Sequence, residues 1–131
     1  MIFRTKKFDA TWDTWVYYHD GVIYLYYLIT GRSPGEGFGV ATSRDGVHFT
    51  DHGLALEASD KMVVYLGTGS VWKAPDFAQS HKFICNYSEW REVEGEIQQN
   101  ILFAVVCPRD CDMSPYSGGL CEGSCVGVNG R

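Results

Sequence analysis

A carboxylate set between two indoles, Trp12-Asp13-Thr14-Trp15, is the stretch of this 131-residue chain best suited to chemistry. A side chain of that type can take a proton or attack an electrophilic carbon. It can equally accept backbone N–H bonds in a turn, so both roles stay open for Asp13. One other carboxylate has an aromatic setting, Glu89 in Asn86-Tyr87-Ser88-Glu89-Trp90-Arg91. Trp72 closes a further run, Gly67-Thr68-Gly69-Ser70-Val71-Trp72. Other chemistries find less support. Ser70 lacks the G-x-S-x-G elbow and a strand-to-helix context. The glycines around Glu36 precede no helix, which argues against a phosphate cradle. His19, His48, His52 and His81 sit in or beside turns without metal-ligand spacing and read as surface residues.

The elements that must hold these groups read as strands. Trp15–Tyr18 and Val22–Ile29 flank Asp20-Gly21, a strong hairpin signal because Gly accepts positive φ without steric cost. Phe38–Thr42 follows a Gly/Pro loop, and Asp45-Gly46 leads into a short strand around Phe49. The segment 51–61 reads as polar and turn-rich, and Met62–Leu66 as a brief strand. Ser70–Lys73, Lys82–Ser88 and Gln99–Val106 are further strands, with Arg91–Glu96 a charged loop. Tyr24, Tyr26 and Tyr27 read as sheet packing, and at least one of Trp12 and Trp15 as core. No segment keeps apolar residues at helical spacing between credible caps. The expected class is all-β.

Composition agrees with that class. Eight Tyr, seven Phe, four Trp and fifteen Gly favour pleated surfaces and tight turns. The net charge is −5 and no basic run occurs, so a nucleic-acid partner, which needs clustered cations, is set aside. The N-terminus lacks the apolar core of a signal peptide, and no apolar run approaches the roughly 20 residues of a membrane span. No membrane partner is therefore expected, and with no cysteine before Cys85 the expected compartment is the cytoplasm.

The strands repeat. The strand order from Ser70 to Val106 retraces that from Trp15 to Thr42, and aligning Ala41 with Ala104 gives an offset of 63 residues. Each unit has the pattern of a β-propeller blade, and two blades leave open sheet edges through which the chain could self-associate. Residues 1–106 form this partial propeller. Residues 107–131 are Cys- and Gly-rich, without periodicity, and read as disordered or out of frame. Their Cys-x3-Cys-x9-Cys-x3-Cys pattern (Cys107, Cys111, Cys121, Cys125) supplies four thiolates but fits zinc ribbons poorly; no metal or other cofactor is expected.

With these residues in view, the chain resembles the five-bladed β-propeller glycoside hydrolases, the group of families 32, 43 and 62. The likeness lies in Trp12 to Tyr18 with Asp20-Gly21, in Tyr24 to Tyr27, in Gly39 to Ser43 with Asp45-Gly46, and in Gly67 to Trp72. It covers residues 8–106, as the first two blades. The resemblance implies a carbohydrate substrate, with furanosides such as arabinosides or fructosides among the candidates. It assigns Asp13 the part of nucleophile in retaining members or water-activating base in inverting ones. Trp12, Trp15, Trp72 and Trp90 would offer ring faces to a sugar, with Glu89 a further substrate contact. Two departures stand out: the group's second-blade Asp has no match near Gly69-Ser70, and its general acid comes from a later blade. The expected protein is thus a glycosidase catalytic-domain fragment, inactive alone. The alternatives are a non-catalytic sugar-binding module and a small zinc-stabilised β protein.

Overall fold

The computed structural model describes residues 3–30, 37–58 and 63–106. They form two antiparallel meanders. The first contains β1 (Ala10–His19), β2 (Val22–Thr30), β3 (Gly37–Ser43) and β4 (Thr50–Glu57), side by side in chain order. The second contains β5 (Val63–Lys73), β6 (Phe83–Val93) and β7 (Glu96–Val106), with a single helical turn, α1 (Phe77–Ser80), between β5 and β6. The all-β expectation holds. Among the described residues no helix is long and apolar enough to cross a membrane. The four tail cysteines, with the zinc and frame readings attached to them, lie outside the described residues.

Turn chemistry sets the hairpins. Asp20 and Gly21 both have positive φ, 49° and 73°, the two-residue turn whose twist matches the flanking strands. Glu94 and Gly95 repeat it at 54° and 82°, so the charged segment expected to be a loop is the tip of the β6–β7 hairpin. The polar segment after Thr50 is likewise a strand rather than a turn. Asp51 belongs on it because β3 supplies its partner, Ala41, and His52 sits at the register shift that follows; their side chains reach Tyr27 and Thr42. The brief strands expected on either side of Gly67-Thr68-Gly69 are one strand with a register shift between Gly67 and Ser70. A Cβ on Gly69 would collide with the Asn86 carbonyl, and the Asn86 side chain takes the Ser70 N–H at 2.8 Å. Gly69 thus serves backbone approach, while a Cβ on Gly67 would meet the Ser88 hydroxyl.

The two sheets pack face to face. Trp15, Tyr17, Tyr26, Leu28, Phe38, Val40 and Leu56 on the first sheet meet Val63, Leu66, Val71, Cys85, Tyr87, Leu102 and Ala104 on the second. The opposite face of the first sheet buries Tyr27, Ile29 and Ala41 under Phe3, Phe8 and Phe49, so the N-terminal segment acts as its cover. β1 and β5 run alongside one another in the same direction. Trp12 touches Tyr65 near their starts, and His19 meets Phe77 and Phe83 beyond their ends. Residues 12 and 65 therefore share one end of the molecule.

Candidate functional site

Asp13 lies at a β-bulge. Trp12 pairs with Leu28 and Thr14 with Tyr27, so one residue of β1 has no opposite number on β2. The extra residue reverses the alternation of faces. Trp12 and Trp15, which regular pleating would put on opposite faces, consequently sit across from Leu28 and Tyr26 on the same face, toward the second sheet. Asp13 itself is exposed.

From Trp12 a chain of rings crosses between the sheets. Trp12 and Tyr65 meet edge to face at 5.3 Å, and Tyr65 and Trp90 at 5.8 Å. The outer two remain open to solvent, Trp12 at 44% and Trp90 at 41% exposure. Tyr65 was not among the residues singled out from sequence. Its signal would have been position, because it stands on β5 beside the bulged end of β1, and strand adjacency between sheets is not written in either strand.

Glu89 stands next to Trp90 but faces the other way. It is 0% exposed, opposite Leu66 on one side and Asn100 on the other. Arg91, two residues along the same strand, holds it with an Nη2–Oε2 contact of 3.3 Å. A buried carboxylate is costly unless paired, and Arg91 supplies a charge partner. The bulge and the ring chain thus gather Trp12-Asp13 and Glu89-Trp90 at one end of the paired sheets.

The remaining residues expected to touch a ligand lie elsewhere. Trp15 is stacked on Tyr26 at 5.5 Å and set edge-on to Phe38, as part of the core. Its Nε1–H is buried, with no acceptor among the described residues. Trp72 lies on the outer face of the second sheet against Phe103. Opposite Ile84, it is six residues along β6 from Trp90, about 20 Å away at the usual rise of a strand.

A second polar group, not anticipated from sequence, sits under the N-terminal cover. Asp51 accepts hydrogen bonds from the Thr5 hydroxyl (2.5 Å), the Tyr27 hydroxyl (2.6 Å) and the Gly53 N–H (2.9 Å). Burial works to raise the Asp51 carboxyl, but the bonds from Thr5, Tyr27 and Gly53, with the charge of Lys7, outweigh it and leave it below its ordinary value. Tyr27 moves strongly upward, first from burial and then from its bond to Asp51. Burial, then the Lys7 charge, lowers His52 despite the nearby Asp51. Beside this network Arg4, Lys6, Lys7 and His48 border a cleft of about 490 Å³. Asp45 bonds His48 Nδ1 at 2.7 Å, and it also caps the turn through the Val47 and His48 N–H groups, which holds its carboxyl well below the usual range.

Among the described residues no group of three or more His, Cys, Asp or Glu side chains is placed to hold a metal ion. No protein-family model, curated protein or solved structure matches the chain.

Proposed function

We propose that the chain is a two-blade portion of a five-bladed β-propeller glycoside hydrolase, with Asp13 as a catalytic carboxylate and Trp12, Tyr65 and Trp90 lining the sugar site. The observation that carries this reading is the bulge at Asp13, which leaves an exposed carboxylate beside a partly open ring chain joining two sheets. Apolar ring faces with a carboxylate at their edge suit a pyranose or furanose, whose C–H faces are apolar and whose anomeric carbon is the electrophile.

The way the sheets stack supports the blade reading. Ala41 lies on the face of the first sheet turned away from the second, while its sequence counterpart Ala104 lies on the face turned toward the first. Equivalent faces therefore do not meet each other; the sheets stack head to tail. Head-to-tail contacts generate a ring when the rotation between units closes. Chain-order strands and co-directional β1 and β5 are the arrangement a propeller requires.

In the chemistry that follows, Asp13 attacks the anomeric carbon in a retaining enzyme or deprotonates water in an inverting one. Its partner carboxyl would stand about 5–5.5 Å away for retention or about 6.5–9.5 Å for inversion. Glu89, buried and paired with Arg91, stiffens the strand that presents Trp90. On this reading the general acid belongs to a later blade.

Titration with arabino- and fructo-oligosaccharides, followed by tryptophan fluorescence, tests the site. Saturable binding weakened in Trp12→Ala and in Trp90→Ala is expected. An unchanged spectrum with every sugar would sink the proposal. Any turnover of aryl glycosides should vanish in Asp13→Asn while binding persists. The burial of Glu89 favours one alternative, a non-catalytic sugar-binding module. Saturable binding without turnover even of dinitrophenyl glycosides, whose leaving group needs no general acid, would select it.

A further inference from the structure

The two sheets expose four edge strands, β1, β4, β5 and β7, and three of them are irregular. β1 is bulged at Asp13. β4 carries two register shifts against β3, with Gly53 at φ 89° beside one of them. β5 shifts register twice against β6. Bulges of this kind spoil an edge for pairing with another chain. β7 has none of these features. Its register against β6 is unbroken from Glu96 to Val106, and among the described residues no strand covers its other edge. It contains no proline and no lysine, and its one charge, Glu96, is at its first residue.

The first sheet shows what such an edge accepts. β3, which holds the same place as β7 in its own meander, is flanked on its far side by antiparallel β4. The second sheet has no fourth strand among the described residues, and among them the outward N–H and C=O groups of β7 meet no strand.

We propose that a second copy of this chain fills it, by antiparallel pairing of β7 with β7 about a two-fold axis at Ile101. The sequence of β7 is complementary to itself in that register. On the outward face Ile97 would meet Val105 of the other copy, Gln99 would meet Phe103, and Ile101 would meet Ile101. These outward residues are open to a partner, Ile97 at 57% and Ile101 at 50% exposure. On the inward face Gln98 would lie opposite Ala104 and Asn100 opposite Leu102. No charged side chain faces another, and apolar cross-strand pairs are the favourable ones. Each copy uses its β7 once, so the assembly closes as a dimer of six continuous strands. The inference is independent of the glycosidase reading.

The central self-pair permits a direct test on the full chain. Sedimentation velocity across a concentration series should show the solution mass doubling for the wild type. Ile101→Lys places two ammonium groups face to face, and Ile101→Glu two carboxylates, so each variant alone should remain monomeric. An equimolar mixture of the two should recover the dimer. Ile101 projects to solvent, and an unchanged far-ultraviolet dichroism spectrum would establish that both variants fold. As a second measurement, the amides of residues 97–105 should exchange more slowly at high than at low wild-type concentration. A wild type that stays monomeric overturns the proposal. So do charged variants that still dimerise, or a mixture that stays monomeric. Open-ended oligomers would also overturn it, because they require some edge other than β7.

Discussion

Replacing Asp51 with alanine removes the acceptor of three hydrogen bonds at once, those of Thr5, Tyr27 and the Gly53 N–H. Thr5 and Gly53 are themselves buried, but Asp51 is partly exposed, so water entering in its place can replace part of what is lost. Tyr27 is different, being 0% exposed, so its hydroxyl would be left without its carboxylate in a closed setting. A hydrogen bond to a charged group contributes about 1.5–3 kcal/mol, and an unsatisfied buried donor costs about 1–3 kcal/mol. We expect Asp51→Ala to lose about 2–4 kcal/mol, a large share of the roughly 5–15 kcal/mol that a domain has. Tyr27→Phe should lose about 1–2 kcal/mol, and the double variant should fall short of the sum by at least about 1 kcal/mol. Urea denaturation of the four proteins at neutral pH, followed by tryptophan fluorescence, gives these numbers if the slopes agree. The pH dependence supplies the sign. The Asp51 carboxyl is lowered by folding, so its contribution is present above the ordinary carboxylate value of about 4 and is lost as pH falls through the lower folded value. The stability gap between wild type and Asp51→Asn should therefore be constant near neutrality and narrow on acidification. Tyr27 is raised by folding, so its contribution holds below the ordinary tyrosine value of about 10 and fades as pH rises beyond it. Coupling below about 0.5 kcal/mol between Asp51 and Tyr27 would refute the reasoning, since that is the limit within which independent sites add.

Gly39→Ala should destabilise by about 1–3 kcal/mol or more in the same denaturation assay, because its Cβ would enter the Tyr27 ring, which Asp51 holds in place. Burial pushes the Cys85 thiol up to about 12; a pulse of iodoacetamide at mildly alkaline pH should therefore leave the Cys85 peptide unmodified in the folded chain and alkylate it in urea, as read by mass spectrometry. Glu94 occupies the left-handed region at φ 54°, where Asn is more at ease, so Glu94→Asn should raise the urea midpoint by an amount corresponding to up to roughly 1 kcal/mol.

Local physics made much of this chain legible from its residues. Asp20-Gly21 between aromatic and β-branched runs specifies a hairpin because both positions adopt positive φ, and the structure has that turn. The aromatic strands, and hence the all-β class, follow from side chains that pack on pleated surfaces. Asp51-His52-Gly53 resembles a turn by composition, yet it is strand because β3 and Tyr27 satisfy its polar groups, and those partners are distant in sequence. Glu94-Gly95 hides a hairpin behind a charged stretch, since Glu rarely takes the left-handed region unless paired strands require it. The site divides in the same way. The residue types at Trp12, Asp13, Glu89 and Trp90 were plain in the sequence. That a bulge exposes Asp13, that Tyr65 links the two tryptophans, that Trp15 belongs to the core and that Glu89 is buried against Arg91 depended on which faces and ends the two sheets bring together. Strand identity is a short-range property of alternation and turn residues, whereas register and sheet packing arise from contacts between residues far apart in the chain, and only the assembled structure fixes those.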